Sequence, residues 1–191
     1  MKKTISIYGG GWVGAPLAFK LALADFDVRV SASSVHQQAA HPKIKVLDFR
    51  AEPDMPADNW SAINDSEVQI WAIPPRRKKN SEETYLTILQ DWVDNLPVGA
   101  AKKLIFLSST SVYANVSDTV DENSGINEDS LMAKAEAIVS SSKVPSLILR
   151  LAGLMGGDRF VGKYFSGKRN DGANCPINYV HKDDVVALVA L

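Results

Sequence analysis

Residues 4–14, Thr-Ile-Ser-Ile-Tyr-Gly-Gly-Gly-Trp-Val-Gly, decide the fold. The first five residues favour β-strand, and the pattern Gly9-x-Gly11-x-x-Gly14 follows them directly. Apolar residues at helical spacing then predict a helix over Val13–Ala24. A strand, a glycine turn and a helix in this order are typical of the first βα unit of a dinucleotide-binding Rossmann domain.

Each glycine of this turn has a separate expected role. Gly9 permits the tight turn, Gly11 lets the backbone approach a diphosphate, and Gly14 allows the helix to pack closely on the strand. The start of the helix adds unpaired N–H groups and the positive end of the helix dipole. Trp12 and Val13 complete the loop and are counted among the cofactor-binding residues, although the Trp12 side chain is expected to cover the loop rather than stack on the cofactor.

Strand-length and helix-length segments alternate along the rest of the chain. One helix is expected after Ser81 and another after Asp129 or Ser130, because these residues are good N-caps. The alternation predicts an α/β protein with a three-layer α/β/α Rossmann fold and a doubly wound, mainly parallel sheet. The later strands are expected at Asp27–Ser31, Ile44–Phe49, Val68–Ile73, Lys103–Ser108 and Ser146–Leu151.

Length and composition indicate the class of protein. Residues 1–191 are expected to form one domain, with a short irregular region from about 154 to 179 and a last helix that begins at Asp183. The chain is 46% hydrophobic and 23% charged with a net charge of −1, so it has no global field for nucleic acid or an anionic membrane. A single cysteine and the absence of a secretory or membrane-spanning run favour a cytoplasmic protein. No metal site is expected, since the three histidines lack ligand spacing.

The end of the second strand bears on the choice of cofactor. NAD sites usually place a carboxylate there for the ribose 2′-hydroxyl, and this chain has none. Ser33 and Ser34 follow the strand and are expected to donate hydrogen bonds to a 2′-phosphate, with Lys43 in reach, so the sequence favours NADP over NAD. Asp48, which ends the third strand, is expected either to bind the adenine amino group or to cap a turn. The predicted cofactor edge is completed by strand-end residues Ala72, Ile73, Pro74 and Ser108.

Four stretches occur in an order shared with a known family. They are the glycine loop with Ala15–Ala18, residues 104–113 (LIFLSSTSVY), residues 148–156 (ILRLAGLMG) and residues 179–185 (YVHKDDV). Together they resemble the extended or atypical short-chain dehydrogenases/reductases, that is, the NAD-dependent epimerase/dehydratase group, which acts largely on nucleotide sugars. The resemblance implies a cofactor lying across the carboxyl ends of the strands. Family members usually continue into a C-terminal substrate subdomain, which is expected to be absent or truncated in this chain.

The resemblance also implies catalytic positions. Ser109, three residues before Val112, would hold the substrate oxygen. In the family a tyrosine moves the proton, and a lysine four residues later lowers the pKa of that tyrosine and contacts the nicotinamide ribose. If Lys134 is taken as the lysine, the tyrosine position holds Ser130, which is a poor acid–base group. Ser109, Lys134 and Ser130 are the expected catalytic set.

A second alignment of the same helix remains open. If Glu136 is matched with the glutamate of the family's helix, the tyrosine and lysine positions hold Glu128 and Met132. Neither alignment restores the tyrosine. Tyr113 is an alternative acid, although its counterpart in the family usually packs structurally, and His181 is expected to have a structural role rather than acid–base chemistry.

These features give two hypotheses. The first is an NAD(P)-dependent oxidoreductase or epimerase/dehydratase-like protein that acts on a small molecule resembling a nucleotide sugar; a homodimer is compatible with it. The second is a non-catalytic NAD(P)-binding sensor or regulatory protein, which the missing tyrosine favours. The basic run Arg76–Lys79 follows the fourth strand and is interpreted either as a phosphate contact or as a solvated loop.

Overall fold

A six-stranded sheet organises the chain. The computed structural model describes residues 4–32, 41–75, 81–97, 99–114, 119–167 and 177–191. The strands pair in the order β3-β2-β1-β4-β5-β6, and every pairing is parallel. Their bounds are β1 Thr4–Tyr8, β2 Asp27–Ala32, β3 Ile44–Asp48, β4 Val68–Trp71, β5 Lys103–Ser109 and β6 Ser146–Leu151. This is the order of a doubly wound Rossmann sheet, so the predicted fold class is confirmed.

Helices cover both faces of the sheet. One face is packed by α1 (Gly14–Leu23) and α6 (Lys182–Val189), which share a core with β1, β2 and β4. The other face is packed by α2 (Ala57–Asn64), α3 (Glu82–Asp94) and α4 (Leu131–Ser140). None of the helices within the described ranges is long and apolar enough to cross a membrane.

Alternation along β1 shows how the strands serve both layers. Ile5 and Ile7 point to the α1 side, whereas Tyr8 enters the core on the other side, as the period of two in a strand requires. The second core is rich in aromatic rings: the ring centroids of Tyr8 and Trp71 lie 5.5 Å apart, and those of Trp71 and Trp92 lie 4.9 Å apart. These contacts fix the strand ends that lead to the glycine loop.

Two parts of the chain differ from the sequence-based expectation. Helix α2 was not predicted, because its polar sequence between prolines buries only Trp60, Ile63 and Asn64. The region expected to be irregular contains β7 (Gly153–Met155) and α5 (Val161–Phe165), and β7 pairs in parallel with β8 (Tyr179–His181). β8 lies in the stretch 179–185 that carries the family resemblance, whereas β7, with three residues, has too little periodicity to be recognised.

The strand order reverses beside β1, which has β2 on one side and β4 on the other. In open parallel sheets, ligands bind outside the carboxyl ends of the strands at such a switch point. The glycine loop leaves β1 at this point, so the topology and the sequence motif indicate the same site.

Candidate functional site

The turn after β1 uses two glycines for packing. Gly9 has a φ of +101°, and a Cβ there would lie 3.0 Å from Ile73 Cγ1 and 3.1 Å from the Ala72 carbonyl carbon. A Cβ at Gly14, the first residue of α1, would collide with the carbonyl oxygen of Gly9. Any larger residue at either position would therefore push the loop away from β1 and β4.

Gly11 differs from its neighbours because it borders open space. A Cβ at Gly11 would meet no protein atom within 4 Å, and the residue is exposed. The N-cap of α1 is Val13, whose side chain has no polar atom, and the first turn carries no acidic residue. An anion approaching Gly11 would thus meet backbone N–H groups at the positive end of a helix. This open cradle fits a dinucleotide diphosphate.

Ser31 of β2 fixes the cradle from the other side. Its hydroxyl accepts a hydrogen bond of 2.8 Å from the Gly9 N–H, and its carbonyl accepts one of 2.6 Å from the Gly10 N–H. Ser31 is buried, so these bonds are shielded from water. Ser31 was not among the predicted site residues, because its burial against the glycine turn depends on the assembled fold.

The exit of β4 lies against the same turn. The Ile73 carbonyl accepts hydrogen bonds from the Trp71 indole N–H at 3.1 Å and from the Tyr85 hydroxyl at 3.2 Å. Burial raises the pKa of Tyr85 to about 12, so its hydroxyl stays protonated as a donor. Of the residues predicted at this exit, Ala72 and Ile73 pack on Gly9 and Pro74 is exposed.

The ends of β2 and β3 carry the remaining predicted cofactor residues. Asp48 lies beside Ala32 in the register of these strands and is exposed. Ser33, Ser34 and the basic run 76–79 lie outside the described residues. The expectation for Lys43 is wrong: it precedes β3 and pairs with Asp25, at the amino end of the sheet. The five residues of β3 span roughly 16 Å at ~3.3 Å per residue, which separates Lys43 from the ribose site.

A cleft of about 1050 Å³ opens at the carboxyl ends of β5 and β6. Ser109, the predicted substrate-binding serine, lines it together with Tyr113, Glu136 and Arg150. The Ser109 hydroxyl accepts a hydrogen bond of 3.1 Å from the Ser111 N–H. Since a hydroxyl that accepts one bond still has a proton to donate, Ser109 remains able to bind a substrate oxygen.

An ion pair between the buried Glu136 and the half-buried Arg150 forms the base of this cleft. Arg150 Nη2 lies 2.9 Å from Glu136 Oε2, and Arg150 Nε lies 3.2 Å from both Glu136 oxygens. The Ser108 hydroxyl donates to Glu136 Oε1 at 2.6 Å, and Arg150 Nη1 donates to the Tyr113 hydroxyl at 3.1 Å. Glu136 and Tyr113 raise the pKa of Arg150 above its ordinary value. This network was not predicted, although a charged residue inside an apolar strand and another on an apolar helix face indicate a pair.

Helix α4 places its predicted catalytic residues differently. The Ser130 hydroxyl accepts a hydrogen bond of 3.2 Å from the Ala133 N–H and so caps the helix. Lys134 is exposed, whereas Met132 and Glu136 share the buried face toward β5 and β6. Both alignments of this helix stay predictions. The catalytic roles of Ser130 and Lys134 stay predictions.

The Trp12 side chain connects the glycine loop to two residues from later in the chain, Arg159 and Lys182. Arg159 Cζ lies 4.3 Å from the centroid of the indole, and Lys182 Nζ lies 5.1 Å from it. His181 caps α6, since its Nδ1 accepts a hydrogen bond of 3.2 Å from the Asp183 N–H. Neither cation was recognised as part of the loop, because both approach Trp12 from distant parts of the sequence.

Comparison with known proteins identifies a relative of this chain. The Escherichia coli protein YeeZ is 32% identical over 198 residues, an alignment that spans 99% of this chain and 72% of YeeZ. No family model matches the chain.

Two solved structures have the same fold. WbmG from Bordetella bronchiseptica, in complex with NAD, superposes with a TM-score of 0.76 at 14% identity over 99% of this chain and 68% of WbmG. UDP-glucuronic acid 4-epimerase from Bacillus cereus, in complex with UDP-glucuronic acid and NAD, gives 0.75 at 16% identity over 96% of this chain and 70% of the epimerase. The resemblance inferred from the four sequence stretches is confirmed. The chain belongs to the family of YeeZ and has the fold of the NAD-dependent epimerases and dehydratases.

Proposed function

We propose that this protein binds NADP or NAD in the glycine loop and carries out redox chemistry on a small molecule in the adjacent cleft. The observation that carries the proposal is the open face of Gly11 at the start of α1, a place where the chain leaves room for a ligand and offers N–H groups to it. The two solved structures named above hold NAD, which supports a nicotinamide dinucleotide as the ligand.

Each part of the cofactor has a proposed set of residues. The diphosphate binds the backbone N–H groups of residues 11–14, in the turn that Gly9 shapes and Ser31 holds. The ribose is proposed to lie at Ser33 and Ser34, and the adenine amino group to reach Asp48. The described end of β2, Ser31-Ala32, carries no carboxylate to repel a 2′-phosphate, which favours NADP over NAD. Residues 72–74 and Ser108 are proposed to form the remaining wall of the cofactor site. The bound nicotinamide would supply a hydride donor or acceptor.

The substrate is proposed to lie in the cleft beside Ser109, whose hydroxyl donates a hydrogen bond to a substrate oxygen. A nucleotide sugar is the proposed substrate class, because UDP-glucuronic acid occupies the solved B. cereus epimerase. Ser130 and Lys134 are kept as further proposed catalytic residues: the Ser130 hydroxyl caps α4 but still has a proton to donate, and Lys134 is exposed on the side of the helix away from Glu136.

Gly11→Ala tests the cofactor site without disturbing the fold. The new methyl group would meet no protein atom, yet it would occupy the space proposed for the diphosphate. We expect Kd for NADP and NAD, measured by titration calorimetry, to rise at least about tenfold, since a methyl group in contact with a phosphate forfeits a close N–H contact.

Gly125→Ala is the matched control, because Gly125 also borders open space and lies in a different loop. It should leave both the melting temperature and the cofactor affinity unchanged. Equal affinity in the two variants and the unmodified protein would contradict the proposed site. Absence of any binding by the unmodified protein would refute the proposed cofactor itself.

A non-catalytic sensor is the second candidate, and α4 favours it specifically. In both alignments the tyrosine position holds another residue, either Ser130 or Glu128. Oxidation of NADPH or NADH in the presence of carbonyl compounds and nucleotide sugars separates the two functions. Turnover that Ser109→Ala abolishes supports the enzyme, whereas cofactor binding without turnover supports the sensor.

A further inference from the structure

Two cationic groups pack against the side chain of Trp12, which belongs to the glycine loop. The Arg159 guanidinium and the Lys182 ammonium lie 4.3 Å and 5.1 Å from the indole centroid, both within cation–π range. Trp12 itself stands between Gly11, which faces open space, and Gly14, which starts α1. Both positive charges thus pack against a side chain of the glycine loop itself.

His181 brings these two cations together. Lys182 follows it directly in the chain, at the start of α6. On the other side, Gly156 packs on the His181 ring so closely that a Cβ would lie 2.7 Å from Nε2. Gly156 and Arg159 then close a tight turn through hydrogen bonds of 2.7 and 3.0 Å, and this turn presents Arg159 to Trp12.

Both cations retain donors for a ligand. A guanidinium that stacks on an indole keeps its N–H groups free at the edge, and an ammonium has three donors. Arg159 is exposed, and no carboxylate forms an ion pair with it within the described ranges of the chain. Lys182 lies 3.8 Å from Asp183, whose side chain is 70% exposed, so this contact is weak and easily replaced.

We propose that Arg159 and Lys182, positioned by Trp12, form a second phosphate-binding element that contacts the diphosphate of the cofactor. The inference rests on the proposed cofactor site and deepens it. The loop offers neutral N–H groups, whereas the two side chains supply full charges, and charge-assisted hydrogen bonds to phosphate are about twice as strong as neutral ones.

The test compares Arg159→Gln, Lys182→Gln and the double variant by titration calorimetry with NAD and NADP. We expect each single variant to bind both cofactors about tenfold more weakly, the loss typical of one charged contact, and the double variant to bind more weakly still. Lys143→Gln is the matched control. Lys143 is exposed and precedes β6, so it lies at the amino ends of the strands, whereas the glycine loop lies at their carboxyl ends. It should bind both cofactors like the unmodified protein.

The choice of ligand separates this inference from its alternatives. A diphosphate contact predicts equal losses for NAD and NADP, since the two share the diphosphate. A loss confined to NADP would mean that the cations hold the 2′-phosphate, and it would overturn the inference, as would unchanged affinity for both. If the unmodified protein binds neither cofactor, the proposed function fails first.

Trp12→Leu and Arg159→Lys provide a second measurement. Trp12→Leu keeps both charges but removes the ring that positions them, and Arg159→Lys keeps the charge but removes the planar group that stacks. Both should weaken NAD binding less than Arg159→Gln does, with the melting temperature unchanged. If Trp12→Leu binds NAD as tightly as the unmodified protein, the positioning role of the indole is wrong.

Discussion

At the scale of single residues, Glu136 is buried, and its carboxylate is the centre of the cleft network. Its partners come from two neighbouring strands: Ser108 of β5 and Arg150 of β6. Only 7% of the Glu136 side chain is exposed, compared with 21% for Arg150. Taking two charges out of water is costly, so the pair is retained only because its geometry and its extra hydrogen bond compensate. Removing one partner leaves the other charge without compensation.

Glu136→Gln should therefore destabilise the fold by about 2 kcal/mol, because the half-buried Arg150 loses its charged partner but keeps some contact with water. The free energy of unfolding is measured by urea denaturation. Glu128→Gln is the control, because Glu128 is exposed just before the same helix, and we expect a change within about 0.5 kcal/mol. Equal effects of the two substitutions would show that the Glu136 pair adds no stability.

At the scale of elements, the start of α4 is stabilised by the N-cap residue that precedes it. Ser130 has an extended backbone conformation, and its hydroxyl accepts a hydrogen bond from the Ala133 N–H. Ser81 caps α3 in the same way, by accepting a hydrogen bond from the Thr84 N–H. In α1 the N-cap is Val13, which has no such side chain. Two of the helices on the aromatic face, α3 and α4, are therefore capped by their own serine side chains, whereas the helix at the glycine loop has no side-chain cap over its first N–H groups.

Replacing Ser130 separates capping from chemistry. Ser130→Ala should lower the free energy of unfolding by about 1 kcal/mol, whereas Ser130→Asp should retain it because aspartate is an equally good N-cap. The same pair of variants tests whether the hydroxyl moves a proton. If turnover with an identified substrate is lost in Ser130→Asp while stability is kept, the predicted catalytic role of Ser130 gains support; retained turnover rules it out.

At the scale of the whole molecule, the two faces of the sheet differ in chemistry. The α1 face is aliphatic, while the opposite face buries aromatic rings together with the hydroxyl groups of Tyr8 and Tyr85. The Tyr8 hydroxyl lies within 3.0 Å of Gln69 Oε1 and also contacts Asn64. Burial raises the pKa of both tyrosines above the ordinary value, to about 12 for Tyr85. The protein therefore resists losing these protons as long as it is folded.

This burial predicts a loss of stability at alkaline pH. The unfolded chain releases the Tyr85 proton near pH 10, while the folded chain keeps it to about pH 12, so the free energy of unfolding falls as the pH rises through this window. Two pKa units correspond to about 3 kcal/mol.

Tyr85→Phe should be nearly as stable as the unmodified protein at neutral pH, because Trp71 still donates to the Ile73 carbonyl. Its stability should fall less steeply above pH 10, with Tyr8 accounting for the remaining slope. Urea denaturation across this pH range measures both slopes. Parallel curves would contradict the buried state of the Tyr85 hydroxyl.

The sequence was most informative where structure depends on local pattern. Ser146–Leu151 was predicted with the bounds that the structure has, and the glycine turn with the roles of Gly9 and Gly14, because apolar runs and glycine conformations are encoded within a few residues. It was least informative where distant residues meet. The contacts of Glu136 with Arg150 and of Trp12 with Arg159 depend on the assembled fold, and the pairing of β7 with β8 joins two runs too short to be recognised alone.

The four tryptophans differ in burial, so the fluorescence of the most exposed one, Trp12, can be used as an intrinsic probe. Trp60, Trp71 and Trp92 are fully enclosed, whereas Trp12 is partly exposed beside Gly11. A water-soluble quencher such as acrylamide will therefore reach the indole of Trp12 before the others. The fluorescence of Trp12 will therefore change, without any added label, when a ligand binds at the glycine loop or when Arg159 and Lys182 move away from the indole.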